Sequence, residues 1–157
     1  MAKLVVASVI DLPVERVWQA IRSRRLLDHV AAPLLTFVPE RPDLPPLWQE
    51  GEMVPVGMSL FGVLPLGRQT IRISFPPPDP AVAGERRMHD DGDGTMARRW
   101  DHLIVISPLG AGRTAYRDEV EIEAGPLTPF VWLFAQLFFR HRQRRWRQLA
   151  RNPQGVV

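Results

Sequence analysis

Cysteine is missing from this 157-residue chain. That excludes disulfides, a thiolate nucleophile and any cysteine-ligated zinc site. Lysine is nearly missing: one lysine stands against nineteen arginines, a skew that looks like genomic base composition rather than selection for phosphate. No apolar run approaches the ~20 residues of a membrane span. The start, MAKLVVASVIDLP, has neither the charged n-region nor the long apolar stretch of a secretory signal, so a cytoplasmic protein is expected. There is no G-x-S-x-G, no P-loop and no dinucleotide-binding glycine pattern. Ser8, Ser59 and Ser107 have no base at fixed spacing, which leaves nucleophilic catalysis without support. His29 and His141 have no metal-ligand spacing with His89 or His102, so no metal site and no cofactor are expected. The segment His89-Asp90-Asp91-Gly92-Asp93-Gly94 invites a calcium-loop reading. It fails, because Trp100 falls where the loop needs a bidentate carboxylate; the segment reads as a hairpin turn.

What is present suits one domain spanning residues 1–157, with a loose tail over 152–157. A chain of this length buries roughly two-thirds of its extended surface. Sixteen prolines mark loops, notably over 39–46 and 76–80. The charge is unevenly placed: 14 basic and 17 acidic residues precede Pro126, giving −3, and six arginines with no acid follow it, giving +6. An arginine-rich C-terminal half complements the helix dipole. It is also a surface for an anionic partner, such as a peripheral membrane contact, although nucleic acid is not expected.

Those arginines belong to the longest uninterrupted stretch, PLTPFVWLFAQLFFRHRQRRWRQLAR, over 126–151. Thr128 followed by Pro129 reads as an N-cap and first helical residue. A helix over 129–149 spans about 30 Å. Helical spacing puts Gln136, Arg140, Gln143, Arg144, Arg147 and Arg151 on a wet stripe, with Val131, Phe134, Ala135, Phe138 and Leu149 opposite. Phe130, Trp132, Leu137, Phe139 and Trp146 widen the apolar arc, so either other segments cover these flanks or they form a homodimer surface. Arg142 and Arg145 point toward the buried side and are expected either to snorkel to a pocket rim or to meet an acidic partner or an anionic ligand.

Upstream, 3–11 reads as a strand and 13–22 as a short helix capped by Asp11, with a second short helix over 24–30. Further strands are expected at 34–38, 52–61, 69–75, 84–89, 95–107 and 113–124, with VLPLG and PLGAG as turns. The last strand is the clearest. Thr114, Tyr116, Asp118, Val120 and Ile122 share one face, while charged residues line the other, the pattern of a sheet with one face in water.

This order of elements resembles the helix-grip fold of the START-like, SRPBCC superfamily, which includes lipid-transfer and polyketide cyclase-like proteins. The local match is Trp100-x-His102, then Thr114-x-x-x-Asp118-x-Val120, then Gly125-Pro126-Leu127 opening the helix; Thr128 stands where glycine is usual. The resemblance implies an α+β fold: a curved antiparallel sheet of about six to seven strands wrapped around a long C-terminal helix, with two short helices after the first strand.

If the last two strands form a hairpin centred near Gly110, paired residue numbers sum to about 220, and cross-strand neighbours sit ~4.5–5.5 Å apart. His102 then faces Asp118. The pair is either a polar anchor in a greasy cavity or a satisfied pair fixing register. Arg98, two residues before Trp100, is placed on the same face. Met53, Met58, Phe61, Phe75, Trp100, Tyr116, Phe134 and Phe138 are the expected walls, with Arg142 at the rim. Three functions follow: binding or transport of a small hydrophobic ligand; a cofactor-free cyclase or dehydratase using His102 and Asp118 as acid and base; or an interaction protein using the arginine face.

Overall fold

In the computed structural model, residues 1–152 are described; the loose tail expected over 152–157 lies, from 153 on, outside them. Seven strands, β1 (Ala2–Ile10), β2 (Leu35–Pro39), β3 (Met53–Leu60), β4 (Leu64–Ser74), β5 (Arg86–Gly94), β6 (Arg99–Gly110) and β7 (Arg113–Glu123), form one sheet. Its spatial order is β1-β7-β6-β5-β4-β3-β2, and every neighbouring pair is antiparallel. Helices α1 (Val14–Ile21) and α2 (Arg24–Ala31) follow β1, and α3 (Thr128–Arg151) follows β7 through a 3-10 turn at Gly125–Leu127. This is the helix-grip α+β architecture.

β7 alternates as its sequence demands: Thr114, Tyr116, Asp118, Val120 and Ile122 are all buried. β5 does not follow the expected turn. Its strand runs straight through the acidic, glycine-rich segment to Gly94. A Cβ on Gly92 would lie 2.7 Å from the Thr70 carbonyl oxygen, and one on Gly94 2.4 Å from that of Arg68. The glycines there permit close approach of two strands rather than a turn. β4 likewise absorbs Leu64 to Gly67 of the VLPLG segment, and the turn falls at 61–63 instead, with Phe61 at φ 51°.

Two caps are corrected. Thr128 is not the N-cap of α3; Leu127 is, and the Thr128 hydroxyl donates to Gly125 O (2.7 Å) and accepts from Ala124 N–H (2.9 Å). Asp11 does not cap α1, whose N-cap is Pro13. The β6–β7 register also differs: His102 faces Val120 and Asp118 faces Ile104, because the turn falls at Ala111-Gly112 rather than at Gly110.

The core lies between the concave sheet face and the helices. One apolar cluster gathers α1, α2, Trp48, Ile71, Ile73 and the C-terminal end of α3 with Trp146 and Leu149. A second gathers Leu4, Val120 and Ile122 with Val131, Ala135, Phe138 and Phe139 from the N-terminal part of α3. Burying each large side chain contributes about 1.5–3 kcal/mol, so α3 is held mainly by this face. Its wet stripe holds at Arg140, Arg144, Arg147 and Arg151, but Gln143 is only 2% exposed. Among the described residues, no helix is long and apolar enough to cross a membrane.

Candidate functional site

The sheet and the helices line a cavity of about 340 Å³ that is partly open to solvent, within the ~300–1,000 Å³ usual for small-molecule sites. Of the residues expected from sequence, Met58, Trp100, His102, Phe134, Phe138 and Arg142 line it. Six others are elsewhere. Phe61 is 58% exposed at the β3–β4 turn. Phe75 packs edge-on against Trp18 at 5.4 Å, outside the cavity wall. Arg98 is exposed, because residues 95–98 are not part of β6 and the strand alternation does not reach it; Ala97 takes the wall position. Tyr116 and Asp118 are fully buried behind the wall. Met53, also proposed as a wall, is exposed at the start of β3.

His102 and Asp118 are brought together despite the altered register. They are diagonal rather than opposed, and His102 Nε2 lies 2.8 Å from Asp118 Oδ1. The Tyr116 hydroxyl donates to the same oxygen (3.2 Å), and Gln143 Nε2 donates to Asp118 Oδ2 (2.9 Å) and to Val6 O (2.7 Å). Gln143 is therefore buried because it satisfies a carboxylate and a strand carbonyl that sequence periodicity does not show. Burial pushes the Asp118 carboxyl up, but the His102 bond, the Arg142 charge and the Gln143 bond outweigh it and hold the group below the usual range. Burial pushes His102 below its ordinary value, and the neighbouring Arg142 and His89 charges add to this against Asp118. The imidazole is thus neutral near pH 7 and uses Nε2–H to serve the carboxylate.

Arg142 does not snorkel to a rim. It is buried, lies close enough to Tyr116 and Asp118 for its charge to act on both, and sits with its guanidinium carbon 5.8 Å from the Phe139 ring centre. Burial lowers its basicity, but Tyr116, Asp118 and Asp90 more than compensate. Arg145 instead donates Nε–H to His29 O at 3.0 Å, tying α3 to α2.

Sequence reasoning missed Asp90, Gln69 and Phe139 in the cavity wall. Phe139 stacks near Trp100 at 6.0 Å and meets His102 edge-on at 4.8 Å. Asp90 was hidden by the turn reading of its segment. It accepts the Arg72 backbone N–H at Oδ1 (2.8 Å), and burial, partly offset by that bond and by Arg142, pushes its carboxyl up to about 7. Asp90, half-buried in the middle of β5 and paired with His102, was signalled only by the regular spacing Met88, Asp90, Gly92.

Among the described residues, nothing covers the whole flank of α3 as one expectation had it: Phe130 is 72% exposed, and Leu133 and Leu137 are exposed beside it. Phe130 and Leu127 also border the cavity.

A family described as a domain of unknown function (DUF8410) matches residues 8–150. No curated protein matches the chain by sequence. Among solved structures, the fold is similar to that of a protein from Thermus thermophilus, at 14% identity and TM-score 0.67, covering 98% of this chain and 100% of that one. It is similar to a protein from Arthrobacter aurescens at 13% identity and TM-score 0.68, covering 99% and 89%. The Zhui aromatase/cyclase from a Streptomyces species shares it at 11% identity and TM-score 0.63, covering 99% of both chains. Likenesses at these identities establish the fold alone.

Proposed function

Since the chain belongs to the DUF8410 family, whose description states no activity, we propose from the site itself that it binds a small hydrophobic molecule between the sheet and α3. One observation carries this reading: a pocket of about 340 Å³ lies between the sheet and the helices, walled mainly by apolar side chains with four polar residues, Gln69, Asp90, His102 and Arg142. Well-packed cores leave few voids larger than a water molecule, and an apolar hollow of this size costs stability unless something occupies it. Transport of the same ligand is compatible with the apolar border at Leu127 and Phe130.

The test uses N-phenyl-1-naphthylamine as an uncharged apolar probe. Binding of one molecule per chain is expected. Met88→Trp, which adds bulk to the cavity wall, should weaken it at least tenfold while the urea midpoint stays near that of the parent. Equal probe binding by both proteins refutes the reading.

A second reading, cofactor-free acid–base chemistry of cyclase or dehydratase type, is favoured by His102 standing in the wall with a carboxylate behind it. It is the weaker one, since the ring nitrogen nearest the carboxylate is engaged there and Asp118 and Tyr116 do not reach the cavity.

A further inference from the structure

From the wall of this cavity, and resting on the ligand reading above, we infer that Asp90 and Arg142 form the polar end of the site and that they receive an uncharged hydrogen-bond acceptor: the carbonyl oxygen of a ligand whose remaining body is apolar. Sequence singled out His102 and Asp118 for this role. The structure turns Asp118 inward to three donors, from His102, Tyr116 and Gln143, and leaves Asp90 and Arg142 in the wall.

Their placement is set by β5. Met88, Asp90 and Gly94 alternate onto the concave face, all three lining the cavity, and Gly92 adds no side chain between them. The strand pairs Asp90 with His102 on β6 and with Ile73 on β4, so the carboxyl stands one strand away from the imidazole. Oδ1 accepts the Arg72 N–H at 2.8 Å. That bond mends the ladder between β4 and β5, but an amide oxygen would mend it as well, at lower desolvation cost than a carboxyl. Arg142 reaches the same region from α3, close enough for its charge to act on Asp90. Its guanidinium carries five N–H donors, and the residue stands in the cavity lining.

Charge decides what these donors receive. Arg142 is a cation, Asp118 an anion and His102 neutral, so the buried set is balanced when Asp90 holds a proton. An anionic ligand would add an uncompensated buried charge, which is strongly unfavourable. A cationic ligand would meet the Arg142 guanidinium. A carbonyl oxygen adds no charge and accepts from both Arg142 and the Asp90 hydroxyl. The other groups acting on Asp90 are Arg72 of β4 and Asp91 of its own strand; their opposed charges leave the wall near neutrality.

The consequence is a pH dependence specific to this head group. Burial raises the Asp90 carboxyl to about 7, so its donor form predominates below that pH and is lost above it. When only that form binds, apparent affinity follows its population, a fall of about tenfold from pH 6 to pH 8.

The experiment is isothermal titration calorimetry of the full chain with octan-2-one and with octylamine at pH 6, 7 and 8. Octan-2-one is expected to bind at every pH, about tenfold more weakly at pH 8 than at pH 6, and more tightly than octylamine throughout. Asp90→Asn keeps an N–H donor and an acceptor for Arg72; it should hold the pH 6 affinity for octan-2-one at pH 8. Octan-2-one affinity that is flat with pH in the parent, an unaltered slope in Asp90→Asn, or preference for octylamine overturns this assignment while leaving apolar binding in place. Failure of both probes to bind overturns the ligand reading and this assignment together.

Discussion

Replacing His102 with alanine separates a structural from a purely ligand-facing role for the buried pair. His102 is 5% exposed and Asp118 is fully buried. Removing the imidazole deletes the 2.8 Å bond to Asp118 Oδ1 and leaves a buried carboxylate with fewer donors. Breaking a buried charged pair costs about 3–5 kcal/mol when nothing else compensates. Here the Tyr116 and Gln143 bonds remain and the Arg142 charge still favours the ionised carboxylate. Loss of one charge-assisted bond and of the ring's packing against Phe139 then gives about 2–3 kcal/mol. In a domain of this size that lowers Tm by about 5–10 °C. Urea denaturation at pH 7.5 measures the free energy, and the same series at pH 5.5 adds an independent check. His102 has a folded value below its unfolded one; the unfolded chain therefore binds more protons as pH falls below about 6.5, and stability falls with it. Asp90 acts in the opposite sense, because its folded value is raised, so the His102 contribution is read as the difference between parent and variant. The variant should lose less stability than the parent between the two pH values. A midpoint unchanged at pH 7.5, or an equal loss in both proteins on acidification, refutes the argument.

Two further substitutions test how the site is positioned. Gly94→Ala would bring a Cβ to 2.4 Å from the Arg68 carbonyl oxygen, and the β4 backbone at Arg68 and Gln69 cannot give way as a flexible side chain would; a loss of about 1–3 kcal/mol is expected by chemical denaturation, and an unchanged midpoint would contradict the close approach of β5 to β4. Thr114→Val keeps the volume but removes the 2.7 Å hydroxyl bond to Leu12 O, which anchors the β1–α1 connection to β7; about 1 kcal/mol should be lost, and a stabilised variant would show that this bond contributes nothing.

Sequence carried the fold further than the site. β7 was legible because its outer face is wet and its inner face buried, so alternation was complete from Thr114 to Ile122. α3 was legible because no glycine or proline interrupts 130–151. Where tertiary partners decide the outcome, periodicity was silent. Gln143 reads as a surface residue until the buried Asp118 and the Val6 carbonyl are in view. Arg98 loses its expected face because a turn over 95–98 resets the strand alternation. The His102–Asp118 contact survived an incorrect register because diagonal neighbours in a sheet lie within reach of long side chains. Asp90 was missed for a different reason. Acidic residues and glycines argue for a turn, and only the approach of β4 makes the same glycines a condition for a strand.

The central claim, a hollow between sheet and helices that takes an apolar guest, is tested most directly by a crystal structure of the protein soaked with 1-bromonaphthalene, with the bromine located by anomalous scattering. The account predicts a single peak inside the cavity, among Ile71, Trp100 and Phe139. A peak only on the exposed flank of α3 near Phe130 and Leu137, or an interior filled by repacked side chains, would contradict it.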